Sequence, residues 1–457
     1  MLTVKASHLV KPAVKTPSGY MYLPENDQFM PITHATIIYI YKSQTVSDLS
    51  LSLITHILKT SLSKTLTIFH PLAGRLHLPS QSSRFQLNLN SAGALLLEAE
   101  STKKLEDFGD FCPTPQIRQL IPSVDYTRPI HEIPLLIVQL TKFKCGAVSL
   151  GLGFQHTVVD GRASIHFMSE WARISRGESP EYLPFLDRTV LTVGDDDEIK
   201  PGFELGRPPV LIDGPGPDEE RGKETTVVLL KLTKDQIGKL RKTANQNQQK
   251  TGYDKGQPYF TRFEVVAAHM WRCMSIARRL NNEQTTRLRM QMDFRRQIDP
   301  PLPDKYFGNA MLIVTTDVTM KNLLLQGLGY VAGKVREGIS KGTNEYVRSF
   351  LAHLRKIEDF NKMRYFHIVG TKQGDFQGNP NLSITSWIGL TKDGADFGWG
   401  KEIYMGPGLV GFDGKAFVFP RFADDDGSLM VALRLQKTHI DEFIRLFYEN
   451  LSNMSRL

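Results

Sequence analysis

AVSLGLGFQHTVVDGRASIHFMSEWARISRG, residues 147–177, joins two patterns across a short turn. Up to Phe154 the apolar residues alternate: Val148, Leu150, Leu152, Phe154. A period of two predicts a strand with one buried face. After Gly161 the spacing changes. Ile165, Met168, Trp171, Ala172 and Ile174 recur at mostly helical intervals, and Gly177 stops the run. A strand, a turn carrying His156, Asp160 and Gly161, and a helix indicate an α/β fold. His156 continues the buried face of the strand, which places its ring at the strand's interior end. Histidine is the side chain best matched to proton transfer near neutral pH. Taken alone, H-x-x-x-D is a common spacing, and a core histidine with a satisfied hydrogen bond is the competing reading.

Strand and helix signals extend in both directions from this stretch. ATIIYIYK (35–42) is β-branched and aromatic, and IPLLIVQLTKF (133–143) pairs with the strand before His156 through Lys144–Gly146. FQLNLN (85–90) and ALLLEAE (94–100) alternate like the arms of a hairpin. Residues 187–224 are rich in Pro, Gly and acid with little periodicity, and read as a crossover. Beyond it, Thr261 and Glu264 form a capping box, with Phe260 and Val265 as its hydrophobic staple. Further strands follow, among them RLRMQMDF, LSITSWIGL and AFVFP, and IDEFIRLFYENLSN closes the chain as an amphipathic helix. The expectation is two α/β domains with mixed sheets, 1–186 and 225–457, joined by 187–224. A length of 457 residues suits two domains.

Composition narrows the function. Net charge is +8, which suits an anionic ligand, but Lys and Arg are dispersed with no run of five, against nucleic acid. No 18-residue apolar stretch is present, against a membrane span. The three cysteines, Cys112, Cys145 and Cys273, are far apart, against a disulfide framework or a zinc site. No metal cluster suggests itself. The N-terminal residues lack the apolar core of a signal peptide, so a cytoplasmic location is expected. Ser455-Arg456-Leu457 offers a peroxisomal alternative.

Several catalytic motifs are decoys. DFG at 396–398 lacks every other kinase element, GLGYVAGK (327–334) has misspaced glycines, and G-x-S-x-G and H-E-x-x-H are absent. The Gly-rich GADFGWGKEIYMGPG (394–408) carries Trp399, a large anchor with one N–H donor. Seen alone, it is a turn stapled by two aromatics.

Together, HTVVDG (156–161) and DFGWG (396–400) resemble the two signatures of the plant BAHD acyltransferases. HPLAGR (with His70 for the usual Tyr), PPLPDKYFGNA, GNPNLSITSW and HMWRC are similar too, so the likeness spans essentially the whole chain. The resemblance implies a chloramphenicol-acetyltransferase-like fold: two similar mixed-sheet domains with a channel between them, in a monomer. It implies acyl-CoA as co-substrate and no permanently bound cofactor. His156 would be the general base at the channel's midpoint, with no covalent enzyme intermediate. Trp399 would stabilise the oxyanion. Asp396 would fix the loop of Trp399, and is in some family accounts a second base. Asp160 would pair with Arg295 and, with Gly161, support the site. Thr261, Arg262, Gly400 and Lys401 are the expected CoA contacts. For the acceptor, TKFKCGAVSL, NEYV and DFGWGKEIYMGPG are most similar to spermidine hydroxycinnamoyl transferases. The related shikimate and quinate enzymes carry an Arg in S-W-x-R-L where this chain has Gly389. A polyamine acceptor is therefore expected, with His34, Tyr39 and Gly389 at its pocket. An alcohol such as shikimate or quinate is the alternative.

Overall fold

The computed structural model describes residues 1–192, 194, 206–250, 259–361, 375–390, 394–421 and 426–453. The first half holds β1 (Leu2–Val10), β2 (Tyr20–Met21), β3 (His34–Tyr41), β4 (Arg75–His77), β5 (Gln86–Asn88), β6 (Ala94–Ser101), β7 (Leu136–Phe143) and β8 (Val148–Gln155). The second holds β9 (Thr225–Leu232), β10 (Thr285–Asp293), β11 (Met311–Thr319), β12 (Leu382–Ser386), β13 (Tyr404–Pro407), β14 (Lys415–Pro420) and β15 (Leu429–Gln436). They form two six-stranded mixed sheets, ordered β1-β6-β7-β8-β3-β13 and β11-β10-β12-β14-β15-β9, and a small sheet β2-β5-β4.

β8 is buried along its whole length. It pairs antiparallel with β7, Leu140 opposite Leu150, through a turn at Gly146 with φ +86°. A Cβ at Gly151 would lie 2.0 Å from the Leu120 carbonyl oxygen, so glycine lets a second chain segment cross the strand there. The following helix, Gly161–Ser175, starts where Asp160 Oδ1 accepts from the Ala163 N–H at 2.9 Å. It packs on the helix Leu51–Ile68, where the Trp171 indole N–H donates to Ser61 Oγ at 2.9 Å. In the second half the capping box forms as expected. Glu264 N–H donates to Thr261 Oγ1 and Thr261 N–H to Glu264 Oε2, starting the helix Arg262–Ala277.

Two expectations need correction. β5 and β6 do not form a hairpin. β5 is only three residues long and joins β2 and β4, while β6 pairs with β1 and runs parallel to β7. The strand content was legible from alternation, but the partners were not. Nor does 225–457 form one body. β13 pairs with β3, Tyr404 opposite Ile40 through Pro407 opposite Ile37. Trp387, Phe397, Trp399, Tyr404 and Met405 are buried in the first half's core. Without β13, β3 would be a bare sheet edge with unpaired N–H and C=O groups. Residues 193 and 195–205 of the expected crossover, and the Ser455–Leu457 tail, lie outside the described residues.

Candidate active site

The turn after β8 is anchored through its backbone. His156 N–H donates to the Thr33 carbonyl at 3.2 Å, and the His156 carbonyl accepts from Asn309 Nδ2 at 2.9 Å. Gln155 and Thr157 reach back to the carbonyls of Ile32 and Pro31. The His156 side chain is partly open. Its Nδ1 is sealed and has no hydrogen-bond partner among the described residues, which leaves Nε2 as the nitrogen on the open side. Burial pushes the imidazole below its ordinary value of 6.5, and the Lys415 charge pushes the same way. The neighbouring backbone, Asp160 and Asn309 oppose this without reversing it. The ring is therefore neutral at neutral pH, the state a general base needs.

Asp160 is saturated. Arg295 grips both its oxygens, Nη1 to Oδ2 at 2.8 Å and Nη2 to Oδ1 at 3.1 Å, and the N–H groups of Ala163 and Ala310 complete its shell. Burial alone would raise its pKa, but the Arg295 charge and these bonds outweigh it and hold the carboxyl below the usual range. Arg295 also donates to the carbonyls of Tyr306 and Gly308. Asp160 thus holds the turn and has no free lone pair for a substrate proton. A Cβ on Gly161 would lie 3.1 Å from Leu390 Cδ1, so Gly389 and Leu390 stand beside the histidine turn.

The sequence reading missed a buried network behind the turn. Arg188 Nη1 donates to Asp27 Oδ2 at 2.5 Å and Nη2 to the Val158 carbonyl at 2.8 Å. Asp27 Oδ1 accepts from Asn309 Nδ2 at 2.7 Å and from its backbone N–H at 3.1 Å. Asn309 therefore ties Asp27 to the His156 carbonyl. Its only sequence signal was its place in PPLPDKYFGNA.

Trp399 and Asp396 are not at this site. The Trp399 ring sits 5.2 Å from that of Tyr41 and stacks on Phe397, which packs edge-on to Trp171. Tyr41 ends β3, whereas His34, opposite Gln155, begins it; seven residues of strand span about 23 Å. The helix after His156 gives the same answer. Arg176, just past its C-terminal end, donates to the Asp396 carbonyl, and fifteen helical residues span about 22 Å. Asp396 Oδ1 accepts from the N–H groups of Gly398 and Gly400 at 2.8 and 2.9 Å, so the carboxylate folds its own loop. The expectation that Trp399 supplies the oxyanion donor and Asp396 a second base is corrected: the motif was legible, its distance from the histidine was not.

His34 is also corrected. Its Nδ1 meets Tyr126 Oη at 2.9 Å and its Nε2 the Pro134 carbonyl at 2.8 Å, so neither ring nitrogen is left for an acceptor. Burial holds its pKa down to about 4. Tyr39 lies farther along β3, on a small cavity it shares with Ile165, Met168, Glu402 and Met405. Gly389 is exposed, with open space where a side chain would begin. The expected CoA contacts come from both halves. Thr261 and Arg262 start an exposed helix end, where Arg262 Nη1 reaches the Gly427 carbonyl at 3.5 Å. Gly400 and Lys401 are exposed in the Trp399 loop, which belongs to the first core.

Comparison with known proteins places this arrangement. The Transferase family matches residues 1–450. The chain is 44% identical over 99% of its length, and all of the relative's, to the hydroxycinnamoyl-CoA:piscidic acid hydroxycinnamoyltransferase of Actaea racemosa. It is 36% identical to the shikimate O-hydroxycinnamoyltransferase of Nicotiana tabacum, covering 98% of this chain and 99% of that one. Among solved structures, vinorine synthase superposes with a TM-score of 0.74 at 20% identity, covering 98% of each chain, which shows the fold.

Proposed function

The chain belongs to the Transferase family of plant BAHD proteins and is an acyl-CoA-dependent acyltransferase; from that premise we propose that it moves a hydroxycinnamoyl group from CoA to a small acceptor, with His156 as general base. The observation that carries this reading is the neutral, partly open imidazole on a turn fixed by Asp160, Arg295 and Asn309. The acceptor's hydroxyl or amine attacks the thioester carbonyl while Nε2 takes its proton. As the tetrahedral intermediate collapses, the C–S bond breaks and the same proton passes to the CoA thiolate. Asp160 and Arg295 contribute by orientation alone.

Two acceptor classes are in play. A polyamine draws support from Gly389, which leaves out the Arg expected of a carboxylate-binding relative. A hydroxyl on an acid draws support from the charges: Asp160 is neutralised by Arg295, while Lys415 acts on His156. A polycation would meet a cation there. The relatives above are named for piscidic acid and shikimate. We favour the hydroxyl acceptor. Incubation with p-coumaroyl-CoA and spermidine, shikimate or quinate, read by product mass, tests it: an ester product is expected, and efficient formation of coumaroyl-spermidine would reverse the choice.

A further inference from the structure

This inference deepens that reading and rests on His156 being the base. β10, β12 and β14 lie side by side and parallel, with Arg289 opposite Ser383 and Ser383 opposite Lys415. One face of these strands is core: Leu288, Met290, Ile384, Ala416 and Val418 are buried in the second half. The other face carries Lys415 and Phe417, and Phe417 packs against the first half's core. Lys415 therefore projects toward the half that carries His156, close enough for its charge to act on the imidazole.

Lys415 Nζ donates to Thr385 Oγ1 at 2.5 Å, and the Thr385 hydroxyl donates to Gln291 Oε1 at 2.6 Å. The ammonium also stands 5.1 Å from the centre of the Phe417 ring. Among the described residues, no carboxylate lies within ion-pair distance of it. Two ammonium hydrogens remain, and the Thr385 bond turns the Gln291 amide so that its NH2 is also unspent. Burial, with the like charge of Arg289, holds Lys415 down to about 7. A half-buried lysine with spare donors and no counter-ion among the described residues is unusual, because removing a charge from water is costly unless it is paired; an anion brought against it would hold it as the ammonium.

We propose that Lys415, with the Gln291 amide oriented by Thr385, binds a carboxylate on the acceptor, and so selects an acidic alcohol over a polyamine. The role that Gly389, in the turn after β12, cannot fill is taken by a residue on β14. A carboxylate fits better than the thioester oxyanion, since the Lys415 ammonium and the Gln291 amide offer donors for two oxygens. It leaves His156 its neutral form while drawing the acceptor's hydroxyl toward it.

The test is Lys415→Met, which keeps the stem and removes the charge. With p-coumaroyl-CoA as donor, wild type and variant are assayed on shikimate, quinate and piscidic acid, each beside its methyl ester, and on spermidine. Wild type should prefer an acid to its ester, and the variant should lose about 30-fold or more in kcat/KM for that acid, chiefly in KM, with the change on the ester within about threefold. KM for p-coumaroyl-CoA should not move. Calorimetric titration of each acid into the CoA complex gives a readout without turnover, with affinity falling by a similar factor in the variant. Equal use of acid and ester, an equal drop in kcat on both, a raised KM for p-coumaroyl-CoA, or failure of every acid to react and to bind would each overturn the proposal. His156→Ala separates the two levels. It should silence every acceptor, and if it does not, the reading of the base fails whatever Lys415 does.

Discussion

The two stretches that make this chain recognisable are built in opposite ways. The HTVVDG turn is held by charge: Asp160 in the fork of Arg295, and Asn309 between Asp27 and the His156 carbonyl. The DFGWG loop is held by aromatic packing: Trp399 on Phe397 and Tyr41, Phe397 on Trp171. They mark opposite ends of β3 and of one helix. Polar anchoring fixes a side chain's direction at the cost of strict hydrogen-bond geometry. Aromatic packing adds stability with looser directional demands. The first suits a base that must point at a proton, the second a clasp.

Mutations at the two stretches should split cleanly between rate and stability. His156→Ala should cut acyl transfer by at least about 100-fold while leaving the thermal midpoint nearly unchanged; product formation in single-turnover assays decides it, and a variant keeping a tenth of the rate would break the comparison. Trp399→Ala should do the reverse. Emptying a buried indole site should cost roughly 3–5 kcal/mol by denaturant titration, with kcat of the folded fraction within about threefold of wild type. A large kcat loss at unchanged stability would return Trp399 to the chemistry. The smallest effect is in the pH profile. Burial lowers the His156 pKa below 6.5, so the ring stays neutral as pH falls through that value. The acid limb of kcat/KM should therefore lie below pH 6.5, and a limb at or above it would mean that the ring sits in water.

What the sequence made legible was local. The β7–β8 hairpin, the helix capped by Asp160 and the Thr261–Glu264 box depend on residues within a few positions of one another, and each can be read from spacing. What it concealed was pairing at long range. Asn309 and Asp27 are 282 residues apart, and β13 reaches back to β3 across more than 350. Alternation says that a strand exists and which face it buries, but not its neighbour. Trp399 shows the same limit: DFGWG identified the family, yet nothing in its letters measures a distance. Lys415 escaped notice because one lysine in a short strand looks like a solvated edge until β12 and the first half close over it.

The return of β13 to the first sheet also bears on how the protein comes into being. The edge of β3 is finished by residues made about 360 positions later, roughly 20–70 s at ribosomal speeds of 5–20 residues per second. For that interval the nascent first half carries an open, strongly apolar strand edge, a natural client for chaperones. Once closed, the same strap stitches the second half to the first along β3, so the halves cannot separate without breaking strand pairing.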